Sequence, residues 1–139
     1  MTTPNQVVDR LAVALDHHDL DALAGCFAVD YRNETPAHPA RGFVGREQVR
    51  RNWEGLFGGI PDLTGEILAS ATDGPVVWTE WEMRGTRPDG APHVMRGVVV
   101  FTVDGHEITA ARFYLEPVDG DSADVDAAIE RIVTPGTRS

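Results

Sequence analysis

The sequence contains no lysine; all twelve of its basic residues are arginine. Schiff-base chemistry on a side chain is therefore excluded, leaving only the terminal amine for it. There is one cysteine, Cys26, so no disulfide forms within the chain and a thiolate zinc site is not expected. Its apolar neighbours, Leu23-Ala24-Gly25-Cys26-Phe27, mark it as a buried structural residue rather than a reactive thiol. Positive charge is scarce overall. The formal net charge is −10, which argues against nucleic acids and anionic membranes as partners. No stretch approaches the roughly 18 apolar residues that a bilayer-spanning helix needs. Met1-Thr2-Thr3-Pro4 lacks the basic region and apolar core of a signal peptide, so a cytoplasmic location is expected. Gly-rich phosphate loops and nucleophile-elbow sequences are missing too, and His17, His18, His93 and His106 show no metal-ligand spacing. Neither a metal nor a cofactor is expected.

What is present fits one folded domain. The 139 residues are 42% hydrophobic, enough for a sizeable core, and residues 1–139 are read as a single unit. The N-terminal third is helical in pattern. Val7, Val8, Leu11 and Leu15 recur at helical spacing, and Asp19 can cap a second, short helix presenting Leu20, Leu23 and Phe27. A short strand is predicted over Val29 to Asn33, then a loop over Thr35 to Gly42. A third helix runs from about Arg46 to Phe57, with Val49, Trp53, Leu56 and Phe57 inward, and Gly58-Gly59-Ile60-Pro61 ends it. Four strands follow: Leu63 to Ser70, Val76 to Thr86, His93 to Val103 and Glu107 to Glu116. Pro88-Asp89-Gly90 and Asp104-Gly105 supply hairpin turns. A last helix from Ser122 would align Val125, Ala128, Ile129 and Ile132, before a loose tail over Thr134 to Ser139. Helices first and strands after give an α+β domain. The helices are expected to lie on the concave side of a curved, mostly antiparallel sheet and to enclose a cone-shaped cavity.

Three carboxylates stand in strand-like, otherwise apolar segments: Glu80, Glu82 and Glu116. Carboxylates there are costly unless solvated, paired or used. By alternation, Glu80, Glu82 and Arg84 share one face of their strand, and Arg112, Tyr114 and Glu116 share one face of theirs. If those faces bound the cavity, the chain has a cluster suited to acid–base chemistry. Glu80 and Glu82 lie roughly 6–7 Å apart along the strand, so one pKa should rise and hold a proton. Arg84 offers the plainer alternative, a structural salt bridge to one of them. Glu116 can equally be a surface residue ending its strand.

The order of elements resembles the NTF2-like or SnoaL-like superfamily over nearly the whole chain, and more closely the limonene-1,2-epoxide hydrolase family. That family has a Tyr-x-Asn segment after its second helix, matched by Tyr31-Arg32-Asn33. An Arg-x-Asp pair precedes its Pro-x-Gly turn, where this chain has Glu80-Trp81-Glu82 and then Pro88-Asp89-Gly90. Its last strand closes on Tyr-aromatic-Asp, similar to Tyr114-Leu115-Glu116. The resemblance implies that Glu116 activates a water held by Tyr31 and Asn33, while Glu82 protonates an epoxide oxygen. Glu80 stands where the family has its bridging Arg. Trp53, Phe57, Ile60 and Met95 are core or cavity-lining candidates, and Arg84 and His38 are further candidates for ligand contact. A polyketide cyclase or isomerase of the SnoaL-like group is a second reading, although the Asp that such proteins carry on the last strand falls near Phe113 here. A non-catalytic ligand-binding or dimerisation module is a third. The expected partners are a small, largely apolar molecule and a second copy in a homodimer.

Overall fold

The computed structural model describes residues 2–135. Helix α1 (Pro4–Asp16) begins where the sequence supplies both halves of a reciprocal cap. The Thr3 hydroxyl accepts from the Gln6 N–H, the Gln6 side chain accepts from the Thr3 N–H, and Pro4 opens the first turn. Val7, Val8, Leu11 and Leu15 form its buried stripe. The chain turns at His18, whose φ is 51°. Asp19 then caps α2 (Leu20–Gly25) by accepting from the Ala22 N–H at 3.1 Å. Cys26 is fully buried and its Sγ donates to the Ala22 carbonyl. Burial pushes its thiol pKa up, as expected of an inert cysteine.

Strand β1 (Phe27–Glu34) starts two residues earlier than the alternation in sequence indicated. The Thr35–Gly42 segment is irregular apart from a 3₁₀ turn at Pro39–Arg41, and it leads into a two-residue strand, β2 (Phe43–Val44). The latter pairs antiparallel with Arg32 and Asn33; so short a strand carries no readable alternation. Helix α3 (Arg46–Gly59) runs into its glycine pair as the sequence indicated. Strands β3 (Thr64–Asp73), β4 (Val76–Thr86), β5 (Pro92–Asp104) and β6 (Glu107–Pro117) form an antiparallel meander. The six strands make one sheet in the order β2-β1-β6-β5-β4-β3, and only the β1–β6 pairing is parallel. The α+β, mostly antiparallel expectation therefore holds.

The inner face of this sheet packs against α1, α2 and α3. Trp81, Val77, Val99, Phe101 and Ile108 are almost completely buried there with Leu15, Leu23 and Tyr31. The polar handle of Trp81 is satisfied inside the core: its Nε1–H donates to the Thr79 hydroxyl, which donates to the Val99 carbonyl, each at 2.7 Å. Register shifts at Ile67/Ala69 in β3 and Thr102/Val103 in β5 bend the strands. Gly97 brings β5 very close to β6. A Cβ built there would lie 2.1 Å from the Tyr114 carbonyl oxygen, so only glycine fits.

Helix α4 (Val125–Val133) forms, capped by Asp124, but Val125, Ile129 and Ile132 of its apolar stripe are exposed. Residues 136–139 of the tail expected to be loose lie outside the described residues. Among the described residues no helix is long and apolar enough to cross a membrane.

Candidate ligand-binding site

Between the inner face of the sheet and α3 lies a pocket of about 340 Å³, at the lower end of the roughly 300–1,000 Å³ usual for small-molecule sites. Its walls are apolar. Phe27 and Tyr31 come from β1, Phe43 from β2, Met83 from β4, Met95 from β5, and Phe113 and Leu115 from β6, with Val49, Trp53 and Leu56 from α3 opposite. Its polar groups are Tyr31, Asn33, Thr35, Arg41 and Asn52. Tyr31 is 1% exposed and its hydroxyl donates to Asn33 Oδ1 at 2.8 Å. Burial pushes the Tyr31 pKa far up, so it stays a neutral donor at any ordinary pH.

Four sequence candidates line this pocket: Tyr31, Asn33, Trp53 and Met95. The carboxylates do not, and the reason is strand parity. Val77, Thr79, Trp81 and Met83 are the buried residues of β4, so Glu80, Glu82 and Arg84 project from the opposite, outer face. Phe113 and Leu115 face the pocket from β6, which turns Arg112, Tyr114 and Glu116 outward. The sequence expectation that the two charged faces meet is geometrically sound, because Glu82, Arg96 and Glu116 stand side by side in register across β4, β5 and β6. They meet on the outer face of the sheet, not in the cavity. The expected placement of Glu80, Glu82, Arg84 and Glu116 in the cavity is thereby corrected.

The outer-face groups have their own structural chemistry. Arg84 Nε donates to one oxygen of Glu82 at 2.8 Å and Arg96 Nε to the other at 2.6 Å. These two bonds hold the Glu82 carboxyl below its usual range. It is ionised at neutral pH, the reverse of the raised pKa expected from a close Glu80. The salt-bridge alternative is what the fold uses. Farther along the same face, the Arg112 guanidinium lies 5.9 Å from the centre of the Trp78 ring. Val100 stands between the two in register and is only 1% exposed despite facing outward.

His38, expected near the cavity mouth as a ligand contact, bonds Glu116 instead, Nε2 to Oε1 at 2.7 Å. Phe57 and Ile60 also fall outside the pocket. Phe57 stacks on the His18 ring with centroids 4.1 Å apart, and His18 Nε2–H donates to the Leu63 carbonyl at 2.7 Å. Ile60 is buried where Gly85 leaves room for it.

Sequence reasoning missed Thr35, Arg41, Phe43, Asn52, Met83, Phe113 and Leu115 as lining residues. For Met83, Phe113 and Leu115 the signal was there, since the apolar phase of an alternating strand is the one that turns inward. Arg41 gave only the weaker hint of a basic residue in a proline-rich loop. Its backbone is held by a closed turn: the His38 N–H donates to the Thr35 carbonyl and the Arg41 N–H to the His38 carbonyl. Among the described residues, no three His, Cys, Asp or Glu side chains gather as a metal cage requires.

No curated protein matches the chain by sequence. Solved structures of similar fold include a protein with a ketosteroid isomerase-like fold from Catenulispora acidiphila in complex with trimethylamine. It is 24% identical with a TM-score of 0.69, over 81% of this chain and 87% of that one. IdmH of Streptomyces antibioticus, a proposed polyketide cyclase, is 22% identical with a TM-score of 0.72, over 83% and 93%. An LEH-like epoxide hydrolase of M. tuberculosis is 20% identical with a TM-score of 0.71, over 81% and 82%. At these identities the likeness is one of fold, and such folds host unrelated chemistries. The sequence itself goes further, because residues 8–111 match the family model of the SnoaL-like domain, and the chain belongs to that family.

Proposed function

We propose that this protein binds a small, largely apolar molecule in the pocket between the sheet and α3, and that Glu82 and Glu116 take no part in chemistry on it. One observation carries the reading: the pocket walls are mainly aliphatic and aromatic, and among the described residues no carboxylate or histidine lines them. Adding water to an epoxide by paired acids needs an ionised carboxylate and a protonated one within reach of the substrate. Neither stands in this pocket, and Glu82 is held ionised on the other side of the sheet. Tyr31 and Asn33, which the hydrolase reading assigns to holding water, act here as fixed polar groups in an apolar wall. Phe113 fills the place on β6 where a cyclase or isomerase of the group would carry its Asp, which weighs against that reading as well.

Trp53 offers a direct test, since it lines the pocket. Neutral apolar molecules such as octanol or naphthylmethanol should change its fluorescence saturably, and Trp53→Phe should remove the change. Turnover of a panel of small epoxides, lost in Glu82→Gln and Glu116→Gln, would overturn the reading in favour of the hydrolase.

A further inference from the structure

Resting on that reading of the pocket, we infer that its ligand is an organic acid: an apolar body in the pocket, with a single carboxylate at the mouth held by Arg41. Asn33 Oδ1 already accepts from the Tyr31 hydroxyl. Asn33 is only 8% exposed, yet among the described residues no buried side-chain nitrogen or oxygen lacks a partner. Its amide nitrogen therefore opens onto accessible space, and Asn33 lines the pocket. Asn52 is arranged alike. Its Oδ1 accepts from Gln48 Nε2 at 2.7 Å, which leaves its amide N–H groups to donate. Arg41 has donors only.

Arg41 is also the one charged side chain among the lining residues. Elsewhere the guanidinium groups of Arg46, Arg50, Arg84, Arg96 and Arg131 are matched to carboxylates. Other guanidinium groups also lack a carboxylate, among them Arg10 on the His106 carbonyl, Arg51 on Gln48 and Arg112 over the Trp78 ring, but Arg41 is the one that lines the apolar cavity. His38 reinforces the placement by tying the turn that carries Arg41 to Glu116 on β6. The pocket lining thus offers one positive charge and two amide donors, and it contains no carboxylate that would repel an anion. A carboxylate, with one charge and two acceptor oxygens, satisfies this set, and guanidinium binds it through paired N–H donors. A phosphate dianion would keep an uncompensated charge in a molecule that is already strongly negative.

The experiment compares matched acids and alcohols by calorimetry at neutral pH: octanoate with octanol, and naphthoate with naphthylmethanol. In at least one pair the acid should bind about tenfold tighter or more, the scale of one charge-assisted contact. Arg41→Gln should remove that preference, with an unchanged urea midpoint showing that the variant is folded. Arg41→Lys should keep part of it. Equal binding of acid and alcohol, or a preference that survives in Arg41→Gln, would overturn the assignment of the acid while leaving the apolar pocket in place. Binding of neither member in either pair would overturn both.

Discussion

Glu82 shows how one residue's environment decides between two chemistries. A carboxylate in an apolar strand is either a functional acid or one end of an ion pair, and the alternation pattern alone fits both. Its partners settle the matter: Arg84 and Arg96 each donate to a different oxygen and stabilise the charged form. The consequence for stability has a definite sign. Because the folded-state pKa lies below the ordinary value of 4.5, the contribution is fully present above that value. It is lost as pH falls through the lower folded-state value. Urea unfolding of the native chain and of Glu82→Gln should therefore differ by a constant amount at neutral pH and converge as the pH falls below 4.5. A gap that widens on acidification would mean that Glu82 carries a proton in the folded state. Asp62 and Asp121 are depressed in the same direction, so the comparison must be with the variant and not the native curve alone.

At the scale of elements, most of the architecture was legible. The helical spacing from Val7 to Leu15, the cap at Asp19, the Gly58-Gly59 stop and the turn at Asp104-Gly105 are local signals, and the elements they mark formed within a few residues of expectation. Strand β2 was not legible because its pairing with β1 is made by tertiary context. The site was half legible. Alternation correctly grouped Glu80 with Glu82 and Tyr114 with Glu116, but parity does not say which group faces inward. The cost of burying ionised groups favours Trp81, Met83, Phe113 and Leu115 for the inner face, whereas the resemblance to a hydrolase favoured the carboxylates. Arg41 and Asn52 were beyond reach, since a loop's path over a cavity mouth depends on contacts distant in sequence. Gly97 brings the backbones of β5 and β6 into very close approach. Gly97→Ala should force β5 and β6 apart and cost at least about 2 kcal/mol, read as a lower urea midpoint. A change below about 0.5 kcal/mol, the range of neutral surface substitutions, would show that the two strands separate freely.

The molecule as a whole divides its chemistry between the two faces of one sheet. The inner face and the helices make a core that opens into an apolar pocket, while the outer face carries the ion pairs. Membership of the SnoaL-like family leaves the activity open, and the two faces decide which residues a ligand can touch. The most direct measurement is the affinity of one pocket-binding molecule for three chains: native, Met95→Trp and the double variant Glu82→Gln/Glu116→Gln. Met95 lines the pocket, so an indole there should occupy ligand space and weaken binding by about tenfold or more, the worth of a displaced apolar contact. The double variant should bind like the native chain. Binding lost in the double variant and kept in Met95→Trp would contradict the account and return the function to the outer-face carboxylates.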